Sequence, residues 1–250
     1  MSVPSAESTP SSVLWDVLRY VIVAAISGAL IWYYFFYTPI NYVNRECTGK
    51  TLGTDYIVQV AQFPENADWN KIATAIQERL DALDKNPSTN GEHPTLAKDF
   101  PNLAIDLSTI TGGMAVDCVA ELLEEQKITD FFIEIGNDVR SKGKKTKEKD
   151  WTVGIEKPAL ELSSEFLGLQ QAFALKDQSL ATRQPKQPGE LASVTVIAPT
   201  CTIANAWVMV LLDLGEQKGV ELAQQHGIAA LFLLRSGDDI VEVPTKHWRK

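Results

Sequence analysis

The sequence predicts an α+β fold, a mixed α/β domain preceded by a single transmembrane helix. The chain has 250 residues, of which 45% are hydrophobic and 22% are charged, and a chain of this kind forms a globular domain with a substantial core. One long uncharged segment lies near the amino terminus and predicts the membrane helix. Strand-like and helix-like segments follow it without strict alternation, which favours an antiparallel or mixed sheet over a doubly wound one.

Charge and the placement of metal-binding residue types exclude several classes of protein. The formal net charge is -9, from 23 basic and 32 acidic residues, and it argues against nucleic acid as a partner because phosphate binding needs a basic surface. The three cysteines and three histidines lie far apart, so they predict neither a disulfide framework nor a zinc site. The apolar surroundings of Cys118 and Cys201 favour buried, unreactive thiols, and a single disulfide bond is the alternative.

The amino-terminal region is predicted to be a membrane anchor. Residues 1–12 are rich in serine and proline and predict a disordered tail, and residues 13–44 predict the transmembrane helix. The apolar centre, Tyr20–Tyr37, would extend about 27 Å as a helix, close to the ~30 Å hydrocarbon core of a bilayer. A cleaved signal peptide is disfavoured because no basic region precedes the apolar run. Arg19 and Arg45 flank the span almost symmetrically, so charge leaves its orientation open.

Residues 45–250 are predicted to form the soluble domain. Apolar alternation or short apolar runs predict its strands, and apolar residues at helical spacing predict its helices. The predicted strands are Thr54–Gln62, Leu103–Leu107, Phe131–Ile135, Trp151–Ile155, Ser193–Ala198 and Ala229–Leu234. The predicted helices are Asp68–Lys85, Gly112–Gln126, Ile203–Leu214 and Glu216–His226, with Asp68 as the N-cap of the first. A polar segment with proline and glycine, Asn86–Asp99, predicts a loop.

Three segments in the same order along the chain carry motifs of a known family. They are Ile105–Asp117 (IDLSTITGGMAVD), Phe132–Pro158, which runs from FIEIGNDVRSKG to WTVGIEKP, and Ser193–Gly215 (SVTVIAPTCTIANAWVMVLLDLG). These segments resemble the ApbE family, the FAD:protein FMN transferases. The resemblance extends over residues 50 to 250 and implies the mixed α/β fold of that family. It also implies a site for FAD and Mg²⁺.

The resemblance assigns site positions in this sequence, and two of them depart from the metal ligands of the family. The positions that match the FAD site are Asp106, Gly112, Gly113, Asp117, Gly136 and Asn137. Asn205 and Met209 stand where the family has the aspartate and the threonine that hold Mg²⁺. Asn205 has no charge and Met209 offers a soft thioether, whereas Mg²⁺ prefers hard oxygen ligands, above all carboxylates.

A shortened segment is the larger departure. Before the strand that begins at Ser193, the family has Thr-Ser-Gly and then a His-x-x-Asp-Pro-x-x-Gly segment. This chain has only Ser179–Ala192 in that place, and Arg183 follows Thr182 there. We therefore expect the FAD and metal positions to be vestigial, with no catalytic residue, no bound FAD and no bound Mg²⁺.

These departures predict a non-catalytic protein, a pseudoenzyme. The association of the family with membrane-bound electron transport implies an accessory or structural subunit of a respiratory or photosynthetic complex. Its partners would be other subunits of a complex in the inner (cytoplasmic) membrane, with the soluble domain in the periplasm. The alternative is an active, Mg²⁺-dependent FAD:protein FMN transferase that modifies a serine or threonine of a partner protein. It would rebuild the metal site from Asn205, Thr202, Asp106 or Asp117. Flavin binding without transfer is a third hypothesis.

Overall fold

An antiparallel sheet of eight strands organises the part of the chain that the structure describes. The computed structural model describes residues 27, 42–65, 67–85, 110–158, 168–187, 189–237 and 239–248. The strands are β1 (Tyr42–Thr51), β2 (Thr54–Pro64), β3 (Phe131–Ile135), β4 (Asp138–Lys142), β5 (Trp151–Glu156), β6 (Leu169–Leu175), β7 (Ser179–Arg183), β8 (Leu191–Ala198), β9 (Ala229–Ser236) and β10 (Asp239–Pro244). In the large sheet the strand order is β1-β2-β3-β4-β7-β8-β9-β10, and every neighbouring pair is antiparallel. β5 and β6 form a separate hairpin.

The helices whose bounds the structure describes are α1 (Trp69–Lys85), α2 (Thr111–Glu125) and α3 (Cys201–Gln225). α1 begins after Asp68, whose carboxylate accepts a hydrogen bond from the amide of Lys71, as predicted for an N-cap. α3 is broken at Gly215, where φ is +73°. The two helices predicted from the sequence therefore meet at this glycine, which adopts the left-handed conformation at little cost.

Side-chain alternation gives the sheet two separate apolar faces. On one face, Ile133 of β3 packs in a cluster with Val119 of α2. On the other face, Phe132 of β3 stacks on Trp151 of β5, with 5.7 Å between the ring centroids. Neighbouring residues of one strand thus belong to different cores. The same alternation decides which face of the sheet each polar side chain meets.

The antiparallel sheet confirms the α+β class, but the sequence did not predict β1, β4, β6, β7 and β10. These strands are short or carry polar residues at close intervals, so their hydrophobic pattern is weak. β4, for example, contains Asp138, Arg140 and Lys142 within five residues. Pairing with neighbouring strands, which the sequence pattern does not reveal, selects the extended conformation of these segments.

Several predicted segments lie outside the described residues. They are the tail 1–12, nearly all of the anchor 13–44, the loop Asn86–Asp99 and the strand Leu103–Leu107. β1 begins at Tyr42, and Tyr42–Lys250 form one compact unit. Among the described residues, no helix combines the length and the apolar character that a bilayer span requires.

α2 and α3 approach each other closely at Gly113. A Cβ atom on this residue would lie 2.7 Å from the carbonyl oxygen of Cys201 and 3.0 Å from the amide nitrogen of Thr202. These separations are shorter than van der Waals contact, so a larger residue would push the first turn of α3 away from α2. Glycine at position 113 therefore sets how near the amino terminus of α3 lies to the side chains of α2.

Candidate active site

A cleft of about 680 Å³ opens where five parts of the domain meet. They are the amino terminus of α2, the turn between β3 and β4, the carboxyl end of β7, the turn between β1 and β2, and the carboxyl end of α1. The lining includes Thr111, Gly112, Gly136, Asn137, Asp138 and Arg183. Because these segments are distant in the sequence, no single motif marks the cleft.

Asp138, the first residue of β4, lines the cleft and is only 2% exposed. Its Oδ2 atom accepts hydrogen bonds from the guanidinium of Arg183 at 2.6 Å and from the side-chain amide of Asn205 at 2.9 Å. Burial raises the pKa of Asp138, and the bonds from Arg183 and Asn205 offset only part of this rise. The folded protein therefore stabilises the charge of this carboxylate incompletely.

Two side-chain oxygens beside this contact lack a hydrogen-bond partner among the described residues. They are Oδ1 of Asp138 and Oδ1 of Asn205, and both residues are buried. A buried polar atom without a partner costs about 1–3 kcal/mol, so the fold retains these oxygens at an energetic cost. Hard oxygens, at least one of them a carboxylate, are the ligands that Mg²⁺ prefers. A divalent cation is therefore a ligand that would satisfy such atoms.

The amino terminus of α2 lies beside this carboxylate. The N-cap residue, Ile110, makes no side-chain hydrogen bond to the first turn of the helix. A Cβ atom on Gly112 would overlap Oδ2 of Asp138 and would lie 3.6 Å from the guanidinium of Arg183. Glycine thus lets the positive end of the helix, the carboxylate and the guanidinium share one small space. Helix amino termini and arginine side chains both attract phosphate groups.

Asp117 of α2 has a different role, because it holds the amino terminus of α3. Its carboxylate accepts hydrogen bonds from the amide of Cys201 at 2.9 Å and from the amide and the hydroxyl of Thr202 at 2.8 and 2.7 Å. Arg140 of β4 donates a further bond at 2.6 Å. This carboxylate in effect caps a helix other than its own, where the helix dipole favours a negative charge. Asn205, one turn further along α3, is thereby held against Asp138.

The structure brings together part of the site that the sequence predicted. Of the predicted FAD positions, three line the cleft and two lie at the contact between α2 and α3; the first group is Gly112, Gly136 and Asn137, and the second is Gly113 and Asp117. Gly136 has a φ of +58° in the turn that ends β3, a conformation that glycine adopts readily. Asp106 lies outside the described residues.

The two predicted metal positions have different outcomes. Asn205 is fully buried and contacts Asp138, whereas Met209 lies one turn later on α3, is partly buried and has no oxygen in its side chain. Thr202, an alternative metal ligand, donates a hydrogen bond from its hydroxyl to Asp117.

The three cysteines are free thiols, and burial raises the pKa of Cys201 well above its usual range, which fits the predicted unreactive thiol.

Sequence reasoning missed Asp138 and Arg183 as site residues. A weak signal existed, since Asp138 directly follows the Gly136–Asn137 turn and Arg183 ends a short strand. The two residues are 45 positions apart in the sequence, and only the antiparallel pairing of β4 with β7 brings their side chains to 2.6 Å. No local pattern encodes this contact.

These features define a class of protein. A cleft that combines an anion-attracting helix terminus with a buried carboxylate, backed by the side chain of Asn205, is suited to a phosphate compound bound with a divalent metal. The chain belongs to the ApbE family, whose model matches residues 53–184, just over half of the chain.

Known relatives agree with this assignment. The chain is 32% identical over 184 residues to the FAD:protein FMN transferase of Haemophilus influenzae and 29% identical over 193 residues to that of Salmonella typhimurium. The alignments cover 65% and 70% of this chain but 52% and 53% of the relatives, so the chain spans about half the length of the relatives that it matches. The flavin transferase ApbE of Vibrio cholerae shares the fold, with a TM-score of 0.66 at 20% identity over 83% of this chain and 99% of that one. The flavinyl transferase ApbE of Pseudomonas stutzeri has a TM-score of 0.67 at 20% identity over 82% and 95%.

The expectation of a non-catalytic accessory subunit, a pseudoenzyme without FAD or Mg²⁺, is therefore wrong. The relatives that the chain matches are FAD:protein FMN transferases, and this finding contradicts the expectation. The error arose because Asn205 and Met209 were judged as two lost metal ligands, without regard to the residues that surround them in the fold. In the folded chain Asn205 lies beside Asp138, a buried carboxylate that retains the negative charge a divalent metal requires.

Replacing Asp117 tests its role in holding α3. In the Asp117→Ala variant the amides of Cys201 and Thr202 and the guanidinium of Arg140 lose their common partner. Breaking a buried ion pair from one side costs about 3–5 kcal/mol, so the free energy of unfolding should fall by about that amount in urea titrations. Glu121→Ala, which removes an exposed carboxylate from the same helix, is the matched control. Equal stability of the two variants would contradict the assigned role.

Replacing Asp138 tests whether its charge is costly to the fold. Because the pKa of Asp138 is higher in the folded protein than in the unfolded chain, the penalty is absent at pH values below the unfolded pKa, where both states are protonated. It grows as the pH rises through the folded pKa. The Asp138→Asn variant should therefore be at least as stable as the wild type at pH 7, and the difference should shrink towards acid pH. A variant that loses stability mainly at pH 7 in urea titrations would contradict this.

Proposed function

We propose that this protein transfers FMN from FAD to a serine or threonine hydroxyl of an acceptor protein, with Mg²⁺ as the metal. One observation carries the proposal. Asp138 lines a cleft that also holds a helix amino terminus and an arginine, and one of its buried oxygens has no partner in the described part of the chain. Asn205, which lies behind the lining and donates to Asp138, has a second such oxygen. The names of the relatives support it.

Asp138 and Asn205 are the residues that would hold the metal. Asp138 would supply the negative charge, and Asn205 would supply a neutral carbonyl oxygen. The side-chain nitrogen of Asn205 already donates a hydrogen bond to Asp138. When bound, the metal would neutralise the charge of the diphosphate and make its phosphorus more open to attack. Asp117 cannot take this part, because its carboxylate already accepts four hydrogen bonds from α3 and Arg140.

The amino terminus of α2 and Arg183 would hold the phosphate groups. The helix dipole favours a negative ligand at this end, and the guanidinium of Arg183 adds a full positive charge. Gly112 and Gly136 lack side chains, so the phosphates can approach the backbone closely. The volume of the cleft, about 680 Å³, lies in the range of cofactor-sized sites.

The reaction exchanges one phosphorus–oxygen bond for another and involves no change in oxidation state. The oxygen of the acceptor hydroxyl bonds to the FMN phosphorus, the bridging bond to the AMP phosphate breaks, AMP leaves and the hydroxyl proton is released. Phosphoryl transfer of this type depends mainly on positioning and on stabilisation of charge. Arg183 and the amino terminus of α2 would position the phosphates and stabilise their charge. Asp138 would hold the metal beside them.

Binding and turnover in the Asp138→Asn variant test this function. We expect the full-length wild type to bind FAD in the presence of Mg²⁺ and to lose most of this affinity in EDTA, as followed by flavin fluorescence. The variant should bind FAD and Mg²⁺ at least about 10–100-fold more weakly, since a metal ligand of the site loses its charge. Asp213→Asn, an exposed residue on α3, is the matched control.

Turnover can be measured without a known acceptor, because water can replace the acceptor hydroxyl and release AMP from FAD. We expect slow, Mg²⁺-dependent release in the wild type and about 100-fold less in Asp138→Asn. FAD affinity that is identical in Mg²⁺ and in EDTA, together with no AMP release, would overturn the proposed function.

The predicted span 13–44 extends too far, because residues 42–44 belong to β1. We propose that residues 13–41 anchor the protein in the inner membrane, with the domain in the periplasm beside acceptors in a membrane complex. The support is the length of the uncharged run, which suits a bilayer span. The full chain should stay in the membrane pellet after a carbonate wash, and a chain that begins at Tyr42 should be released. Protease added to spheroplasts should digest the domain. Release of the full chain by carbonate would disprove the anchor.

A further inference from the structure

A second cavity, of about 340 Å³, lies on the opposite face of the sheet, between the sheet and the β5–β6 hairpin. Gly136, Asn137, Thr182 and Gln184 line both this cavity and the cleft, so the two spaces meet where β3 and β7 end. The proposed transfer of FMN uses none of the side chains that belong to the second cavity alone.

Two carboxylates face this cavity. Glu134 of β3 lies on the same side of the strand as Phe132, away from the helices, and Glu156, the exposed last residue of β5, lines the same cavity. Neither carboxylate has a cationic or hydrogen-bonding partner among the residues that the structure describes. Partial burial and the charge of Glu156 both raise the pKa of Glu134. A cation placed between them would relieve this repulsion.

A buried serine supplies an independent observation. Ser193 of β8 lines the same cavity, is only 2% exposed, and its hydroxyl has no hydrogen-bond partner in the described part of the chain. A serine hydroxyl oxygen can accept a hydrogen bond from a cationic donor, as a carboxylate oxygen can. Glu134, Glu156 and Ser193 together define what we call the carboxylate pocket.

The wall of the carboxylate pocket combines polar and apolar side chains. Its apolar part includes Val139, Val153 and Leu180. A hydrated metal ion would gain nothing from this apolar part. A lysine or arginine side chain would, because its methylene stem packs on apolar surface while its charged end reaches polar groups.

We propose that the carboxylate pocket receives a lysine or arginine side chain of the acceptor polypeptide and so selects acceptors with a basic residue near the modified hydroxyl. The inference rests on the proposed transfer function, since it supplies the substrate specificity of that reaction. The shared wall of Gly136, Asn137, Thr182 and Gln184 places the pocket next to the cleft. A basic residue held there would bring a neighbouring serine or threonine of the same polypeptide to the mouth of the cleft.

Peptide binding to the full-length protein loaded with FAD and Mg²⁺ tests the inference. The probes are short alanine-based peptides with one threonine and one lysine placed at successive positions around it, each paired with the same peptide carrying methionine in place of lysine. Fluorescence anisotropy measures affinity, and covalent flavin on the peptide measures transfer. The test variant is Glu134→Gln/Glu156→Gln, and Glu78→Gln/Glu121→Gln, two exposed sites with the same change of charge, is the control.

We expect the wild type and the control to bind the best lysine peptide about tenfold more tightly than its methionine partner, as one or two charged hydrogen bonds would give. The test variant should lose this preference, while its affinity for FAD and for the methionine peptide stays unchanged. No preference for lysine in the wild type, or a preference that survives in the test variant, would overturn the inference. Transfer to methionine peptides in that case would leave the proposed function standing. A lysine preference without transfer to any peptide would contradict the proposed function and leave the pocket as a site for basic side chains.

Discussion

The site depends on the hydrogen bonds that the Asp117 carboxylate accepts from the amino terminus of α3. Four hydrogen bonds tie this one side chain of α2 to two residues of α3 and to Arg140 of β4. Gly113, one turn earlier on α2, removes the bulk that would keep the helices apart. The consequence reaches beyond stability, because the position of α3 decides where Asn205 lies. This contact therefore helps to hold the amide of Asn205 at 2.9 Å from Asp138, together with the apolar packing of α3 on the sheet.

The negative charge at the site lies on a different residue from the one expected from the family. The position that resembles the metal-binding aspartate of the family is a neutral asparagine, yet a buried carboxylate is its direct neighbour. Keeping this carboxylate charged opposes folding, since burial raises its pKa. Active sites commonly retain such unfavourable groups because a ligand or a transition state uses them. The buried carboxylate is therefore a physical argument for the proposed function.

Local sequence patterns predicted the elements that have strong periodicity. α1 with its Asp68 cap, α2, β3, β8 and the break at Gly215 follow from helical spacing, alternation and single-residue conformational preference. The glycines at positions 112 and 136 also stood out, because motifs of the family contain them. β4 and β7 could not be predicted, since their polar residues hide the strand pattern, and both carry residues of the cleft. Asp138 and Arg183 contribute to this weak pattern, because they form an ion pair at positions where a regular strand pattern would place apolar residues.

Membership of the ApbE family and the α+β class could be inferred from the chain alone, since motifs and periodicity are properties of neighbouring residues. The roles of the two aspartates could not. Asp117 matched a motif of the cofactor site but contacts residues 84 and 85 positions away and serves the packing of helices. Asp138 was not identified from the sequence, but in the structure it lines the cleft and accepts a hydrogen bond from Asn205, 67 positions away. The tertiary structure gives the two carboxylates different contacts. The pairing of β4 with β7 and the packing of α2 on α3 set the distances between their side chains and their partners, and no sequence interval specifies these distances.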